Sequence, residues 1–63
     1  MPVITLEIGP LDREKKAALI RAFVENASEI TGIRPDAFVT IIKENPVENI
    51  GSGVDTLAVK MGR

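Results

Sequence analysis

Histidine, cysteine, tryptophan and tyrosine are all absent from this 63-residue chain, and phenylalanine occurs only twice. Without cysteine there is no disulfide and no thiol nucleophile. Without histidine there is no imidazole base, and the usual structural zinc sites, which draw on both residues, are excluded as well. Amines, carboxylates and hydroxyls are what remain for chemistry, and no metal is expected. The shortage of aromatic rings removes the platform on which single-stranded nucleic acid stacks. Eight basic residues against nine acidic ones give a net charge of −1, scattered along the chain rather than gathered into the basic stripe that a polyanion requires. Nucleic acid is therefore not an expected partner. No apolar run approaches the roughly 20 residues of a membrane helix, and no charged-then-apolar leader opens the chain, so a cytoplasmic protein with no membrane partner is expected.

The length sets a second constraint. A domain of about 60 residues buries only about 60% of the surface its unfolded chain exposes. Ordering it costs roughly 1.5 kcal/mol per residue. The sequence predicts one domain over residues 1–63, with a core of Ile, Val, Leu and Ala and neither disulfide nor zinc to reinforce it. Association with further copies is the remaining means of support.

Several segments have clear periodicity. From Val3 to Ile8, Ile4, Leu6 and Ile8 share one face and Thr5 and Glu7 the other, which is the two-residue period of a half-buried strand. Gly9-Pro10-Leu11 ends it. Asp12 is placed to cap a helix running to Thr31, whose apolar positions Leu19, Ile20, Phe23, Ala27 and Ile30 recur at spacings of three and four. Gly32 then supplies a left-handed cap, with Ile33 placed to fold back on the last turn. Pro35-Asp36-Ala37 reads as a turn. Phe38–Lys43 is apolar and β-branched enough for a second, more buried strand, which Asn45-Pro46 breaks. Gly51-Ser52-Gly53, flanked by Ile50 and by residues 54–59, suggests a small hairpin or short strand. The same glycines could cradle an anion with backbone N–H groups, but they do not open a helix after a strand, so a turn is favoured.

Strand, helix, strand makes a βαβ unit with parallel strands. The fold class is thus α+β, a parallel pair with a C-terminal hairpin. Two strands covered on one side leave two edges and a whole face exposed, conditions that favour a sheet shared with another copy across a twofold axis.

The residue with most chemical interest is Pro2. A small residue after the initiator methionine allows removal of Met1, leaving a secondary amine held rigid by its ring. An α-amino group has an ordinary pKa of about 7.7 to 8.0, and burial favours its neutral form, so it suits a general base near neutrality. A plain alternative is a proline that merely starts a strand, where no ladder donor is needed. Glu7 and Glu44 lie on strands and could meet across an interface, although solvated strand carboxylates are the simpler reading.

Taken together, Pro2 before a strand, the helix start Asp12-Arg13-Glu14-Lys15-Lys16-Ala17-Ala18-Leu19-Ile20, Pro35-Asp36-Ala37 leading into Val39-Thr40-Ile41-Ile42-Lys43-Glu44, and Pro46-Val47-Glu48-Asn49-Ile50-Gly51-Ser52-Gly53 resemble the small 4-oxalocrotonate tautomerases. The resemblance covers nearly the whole chain. It implies a tautomerase-like subunit in a hexamer built from dimers, acting without cofactor or metal. Pro2 would move a proton between carbons of a small keto or enol acid such as 2-hydroxymuconate. The family's pocket also carries two arginines and an aromatic residue, and their positions fall near Leu11, at Val39 and at Ile50, all apolar here. A dicarboxylate needs cations to hold it and to stabilise charge developing on the keto oxygen. Arg34, just before the second strand, and Lys43, on the same face as Val39, are the available substitutes. Two alternatives follow. One is a dehalogenase or decarboxylase using a protonated Pro2, and the other a non-catalytic ligand-binding or assembly module.

Overall fold

The computed structural model describes residues 1–62. Strand β1 (Val3–Ile8) is followed by helix α1 (Arg13–Thr31), a single 3₁₀ turn at Pro35–Ala37 and strand β2 (Val39–Glu44). A second 3₁₀ turn at Val47–Asn49 leads to two short strands, β3 (Gly51–Ser52) and β4 (Asp55–Thr56), and to the four-residue helix α2 (Leu57–Lys60). Strands β1 and β2 pair in parallel, Val3 beside Val39 through Ile8 beside Glu44. β3 and β4 pair antiparallel. No helix among the described residues is long and apolar enough to cross a membrane.

Helix α1 has the bounds that its sequence predicts. The Asp12 carboxylate accepts a hydrogen bond from the Lys15 N–H at 2.8 Å, and an N-cap of this kind stabilises a helix by about 1 kcal/mol. At the other end Gly32 takes φ 76° and its N–H donates to the Ser28 carbonyl, a left-handed cap that glycine adopts without steric cost. In the tail hairpin Gly53, at φ 68°, occupies the first central position of a two-residue turn, where glycine is favoured.

Three expectations need correction. The second strand begins at Val39 rather than Phe38, because Phe38 closes the 3₁₀ turn with its N–H on the Pro35 carbonyl. It is also no more buried than the first. Val39 remains 37% exposed and Ile41 43%, because α1 covers only the face carrying Thr40 and Ile42. In the tail, the apolar run after Val54 does not continue as strand. The Thr56 hydroxyl accepts from the Val59 N–H at 3.2 Å, which caps a helical turn from Leu57 and turns the chain away from the hairpin.

Glu44 ties the end of β2 to α1, accepting a hydrogen bond and ion pair from Lys16. The Lys16 hydrogen bond holds the carboxyl below its ordinary value against an opposing desolvation, with smaller help from the Lys16 charge and the Leu11 backbone. A carboxylate with a depressed folded-state pKa adds stability at neutral pH that is lost as pH falls through that pKa. Glu44→Gln should therefore be less stable than the parent at pH 7, with the difference closing in acid as pH falls through the lowered folded-state pKa. Urea midpoints at pH 7 and in acid check this, and a gap that persists in acid would contradict it.

The chain is extended and open for its length. It measures 42 × 23 × 15 Å with a radius of gyration of 14.8 Å, against about 11 Å for a self-contained domain of this length. No described side chain is fully buried, and the surface is 4867 Å². A folded monomer of this size exposes about 3,900 Å². The excess is close to the roughly 800 Å² that each partner buries in a standard interface.

Candidate active site

Pro2 continues the ladder of β1. The Val39 N–H donates to its carbonyl at 2.9 Å, so the residue carrying the imino nitrogen is pinned to β2. The alternation of exposure also runs through it: Met1 and Val3 are open, Pro2 and Ile4 half-buried. Pro2 thus belongs to the face that α1 covers, with Phe38 beside it in the register and Thr40 one step further. The Thr40 hydroxyl is enclosed and has no hydrogen-bond partner. Met1 is 89% exposed.

The other residues singled out from sequence divide between two ends of the sheet. Arg34 lies at the Pro2 end but is bound to Asp36 at 2.8 Å. Val39 is also at that end, on the open face with Val3 and Ile41. Lys43 shares the open face and sits beside Glu7, near the opposite end. Glu7 and Glu44 consequently lie on opposite faces of the sheet and do not meet within the chain.

Leu11 and Ile50 are at the far end. Ile50 lines a cleft of about 380 Å³ with Glu7, Ile8, Asn45, Asn49 and Gly51. Its polar groups include the Asn45 amide, which donates to Glu7 at 3.5 Å. Leu11 lines a separate apolar groove of about 450 Å³ with Ile8, Ala18, Leu19 and Ala22, and Lys15 at its edge. At about 3.3 Å per residue, six residues of β1 put this end roughly 20 Å from Pro2. A single chain therefore does not gather Pro2, Leu11 and Ile50 into one pocket. Phe38 and Asn45 were not singled out from sequence. Their register beside Pro2 and beyond Ile8 could have been read once the strands were aligned as a parallel pair.

A proline-led strand, a covering helix, a parallel second strand and an outlying hairpin define an α+β subunit with an open sheet face. Residues 2–60 match the family described as "Tautomerase enzyme", and the chain belongs to the tautomerase family. Among solved structures it is similar to TomN, described as a 4-oxalocrotonate tautomerase homologue in the tomaymycin biosynthetic pathway, with 25% identity over 98% of this chain and 97% of that one and a TM-score of 0.92. It is similar to apo unfused 4-OT at 32% identity, over 94% and 98% of the two chains, TM-score 0.85. DmpI from Archaeoglobus fulgidus is 33% identical over 90% of this chain and 98% of its own, TM-score 0.84. No curated protein matches the sequence.

Proposed function

We propose that the chain, once freed of Met1, uses the Pro2 imino nitrogen to move a proton between carbons of a small unsaturated 2-hydroxy or 2-keto acid. The observation that carries this reading is the Val39-to-Pro2 hydrogen bond, which fixes the candidate base on a rigid strand. Membership of the tautomerase family and the naming of its relatives as 4-oxalocrotonate tautomerase homologues support it. So does the absence of histidine and cysteine, which leaves the terminal amine as the group whose ordinary pKa lies nearest neutrality.

In this mechanism the neutral nitrogen takes a proton from C3 of the 2-keto acid, or from the 2-hydroxyl of its enol, the electron pair of the broken bond moves into the conjugated system as a dienolate, and the same nitrogen returns the proton to a carbon further along the chain. Hydrogen-bond donors or cations near the developing oxyanion lower the barrier. Lys43 and Arg34 are the cations proposed for that role and for the substrate carboxylate. Leu11, Val39 and Ile50 would provide apolar walls. Their separation along the sheet supports a pocket shared between copies, the Ile50 end of one meeting the Pro2 end of another. The proposed assembly is a hexamer with a dimer as its unit. The open sheet face and the surplus surface favour such sharing.

The processing of Met1 tests the reading directly. Material shown by intact mass to lack Met1 should ketonise a 2-hydroxy-dienoate, whereas material retaining Met1 has an acylated, non-basic Pro2 nitrogen and should be inactive. Equal turnover by both forms would remove Pro2 from the mechanism. Inactivity of both would favour a ligand-binding module, the reading to which the apolar Leu11, Val39 and Ile50 lend weight.

A further inference from the structure

The cleft at the Ile50 end of the sheet is built from tied backbone. The Asn45 N–H donates to the Ile8 carbonyl at 2.8 Å, the Asn49 N–H to the Pro46 carbonyl at 2.8 Å and the Leu57 N–H to the Ile50 carbonyl at 2.7 Å, so Asn45, Asn49 and Ile50 are held in place. The polar side chains of the cleft are Glu7, Asn45 and Asn49, and no cation among the described residues lines it. The Asn45 amide nitrogen reaches Glu7 at 3.5 Å and the Lys43 carbonyl at 3.4 Å. Both contacts are longer than an ordinary N–H···O bond, which leaves the amide able to donate to a better-placed acceptor. The Glu7 carboxylate, by contrast, can only accept.

We propose that this cleft takes the uncharged end of a monocarboxylic acid, a carboxamide or hydroxyl that donates to Glu7 and accepts from Asn45, and that Glu7 excludes a second carboxylate. The proposal rests on the reading that the Ile50 end of one copy meets Pro2 of another, and it narrows the substrate of that shared site. A second carboxylate would meet Glu7 with no surplus positive charge to hold it. Lys43, beside Glu7 in the register, brings a single positive charge that Glu7 itself balances. Lys16 is paired with Glu44 and Arg34 with Asp36. Lys60 donates to the Ser52 hydroxyl at 3.2 Å, and Lys15 edges the separate apolar groove. Glu48, in the 3₁₀ turn next to Asn49, adds a further negative charge to this end. A carboxamide has the shape of a carboxylate but offers Glu7 an N–H and Asn45 a carbonyl. Placing a like charge against the unwanted ligand is how a site rejects such a near-isostere.

The test is calorimetric binding at neutral pH of two unreactive acids of one shape, muconate and its monoamide, to the full chain with Met1 removed, for the parent and Glu7→Gln. Glu7 is an exposed strand residue and glutamine keeps its reach, so the variant safeguards folding while removing the charge. The parent should bind the monoamide about tenfold more tightly than the diacid, and Glu7→Gln should bring the two within about twofold by gaining affinity for the diacid. A parent that binds the diacid as tightly as the monoamide, or binds neither, would overturn the proposal, and so would a ratio left unchanged in Glu7→Gln. Binding needs no turnover, so the two readings fail separately. The expected binding order without ketonisation of any 2-hydroxy-dienoate would sink the tautomerase reading alone, whereas ketonisation with no preference for the monoamide would sink this one alone.

Discussion

Replacing Pro2 by alanine is expected to slow ketonisation of a 2-hydroxy-dienoate by about 10²- to 10⁴-fold, the range that a positioned acid or base contributes. Alanine at position two still permits removal of Met1, so the variant keeps an amine at the same place in the chain. What it loses is the ring, which restricts the nitrogen to one orientation, and the secondary-amine character. Val39 would still donate to the residue-2 carbonyl, because that bond uses the backbone alone. The comparison therefore isolates the imino nitrogen from the strand that carries it. The absorbance change of the enol, followed with parent and variant of verified mass, reads the effect. A rate within about twofold of the parent would be far below the contribution expected of a general base, and would mean that Pro2 only starts a strand.

The second large effect is expected from Ile41→Asp. Ile41 sits midway along β2 on the open sheet face, 43% exposed, between Val39 and Lys43 and beside Thr5. In an assembly that covers this face, the new carboxylate would be buried without a dedicated partner, at a cost of about 3 to 5 kcal/mol per copy. A lone chain has no fully buried side chain with which to offset that loss. Light scattering should show the assembly falling to dimers or single chains, and circular dichroism should show α1 melting at lower temperature. An unchanged mass and melting temperature would mean that the open face stays in water and that copies associate elsewhere.

The parts of this architecture that were legible in the sequence are those governed by local rules. Asp12 and Gly32 mark the helix ends because a side-chain cap and a left-handed backbone need few residue types. The alternation of Ile4, Leu6 and Ile8 identifies the covered face of β1 because a strand has only two faces. The helical turn at Leu57–Lys60 was not legible, since Val54, Leu57 and Val59 suit a strand and only the Thr56 hydroxyl decides for the helix. The burial of β2 was misjudged because apolar, β-branched residues suit either face of a strand, whereas α1 covers a single face. Of the candidate site, Pro2 is the one residue that the sequence singles out by its own chemistry. Leu11 and Ile50 could be placed beside it by resemblance, yet in the chain they stand at the opposite end of the sheet. Sequence patterns describe neighbours within a strand or helix and carry no direct record of which ends meet between molecules.

That no described side chain is fully shielded from water has a kinetic corollary. In the proposed assembly a newly made copy would gain its stability through encounters with others, and its maturation would follow a rate law of higher than first order in chain concentration. Dilution should then reduce specific activity, with a lag on returning to high concentration that shortens as more protein is added.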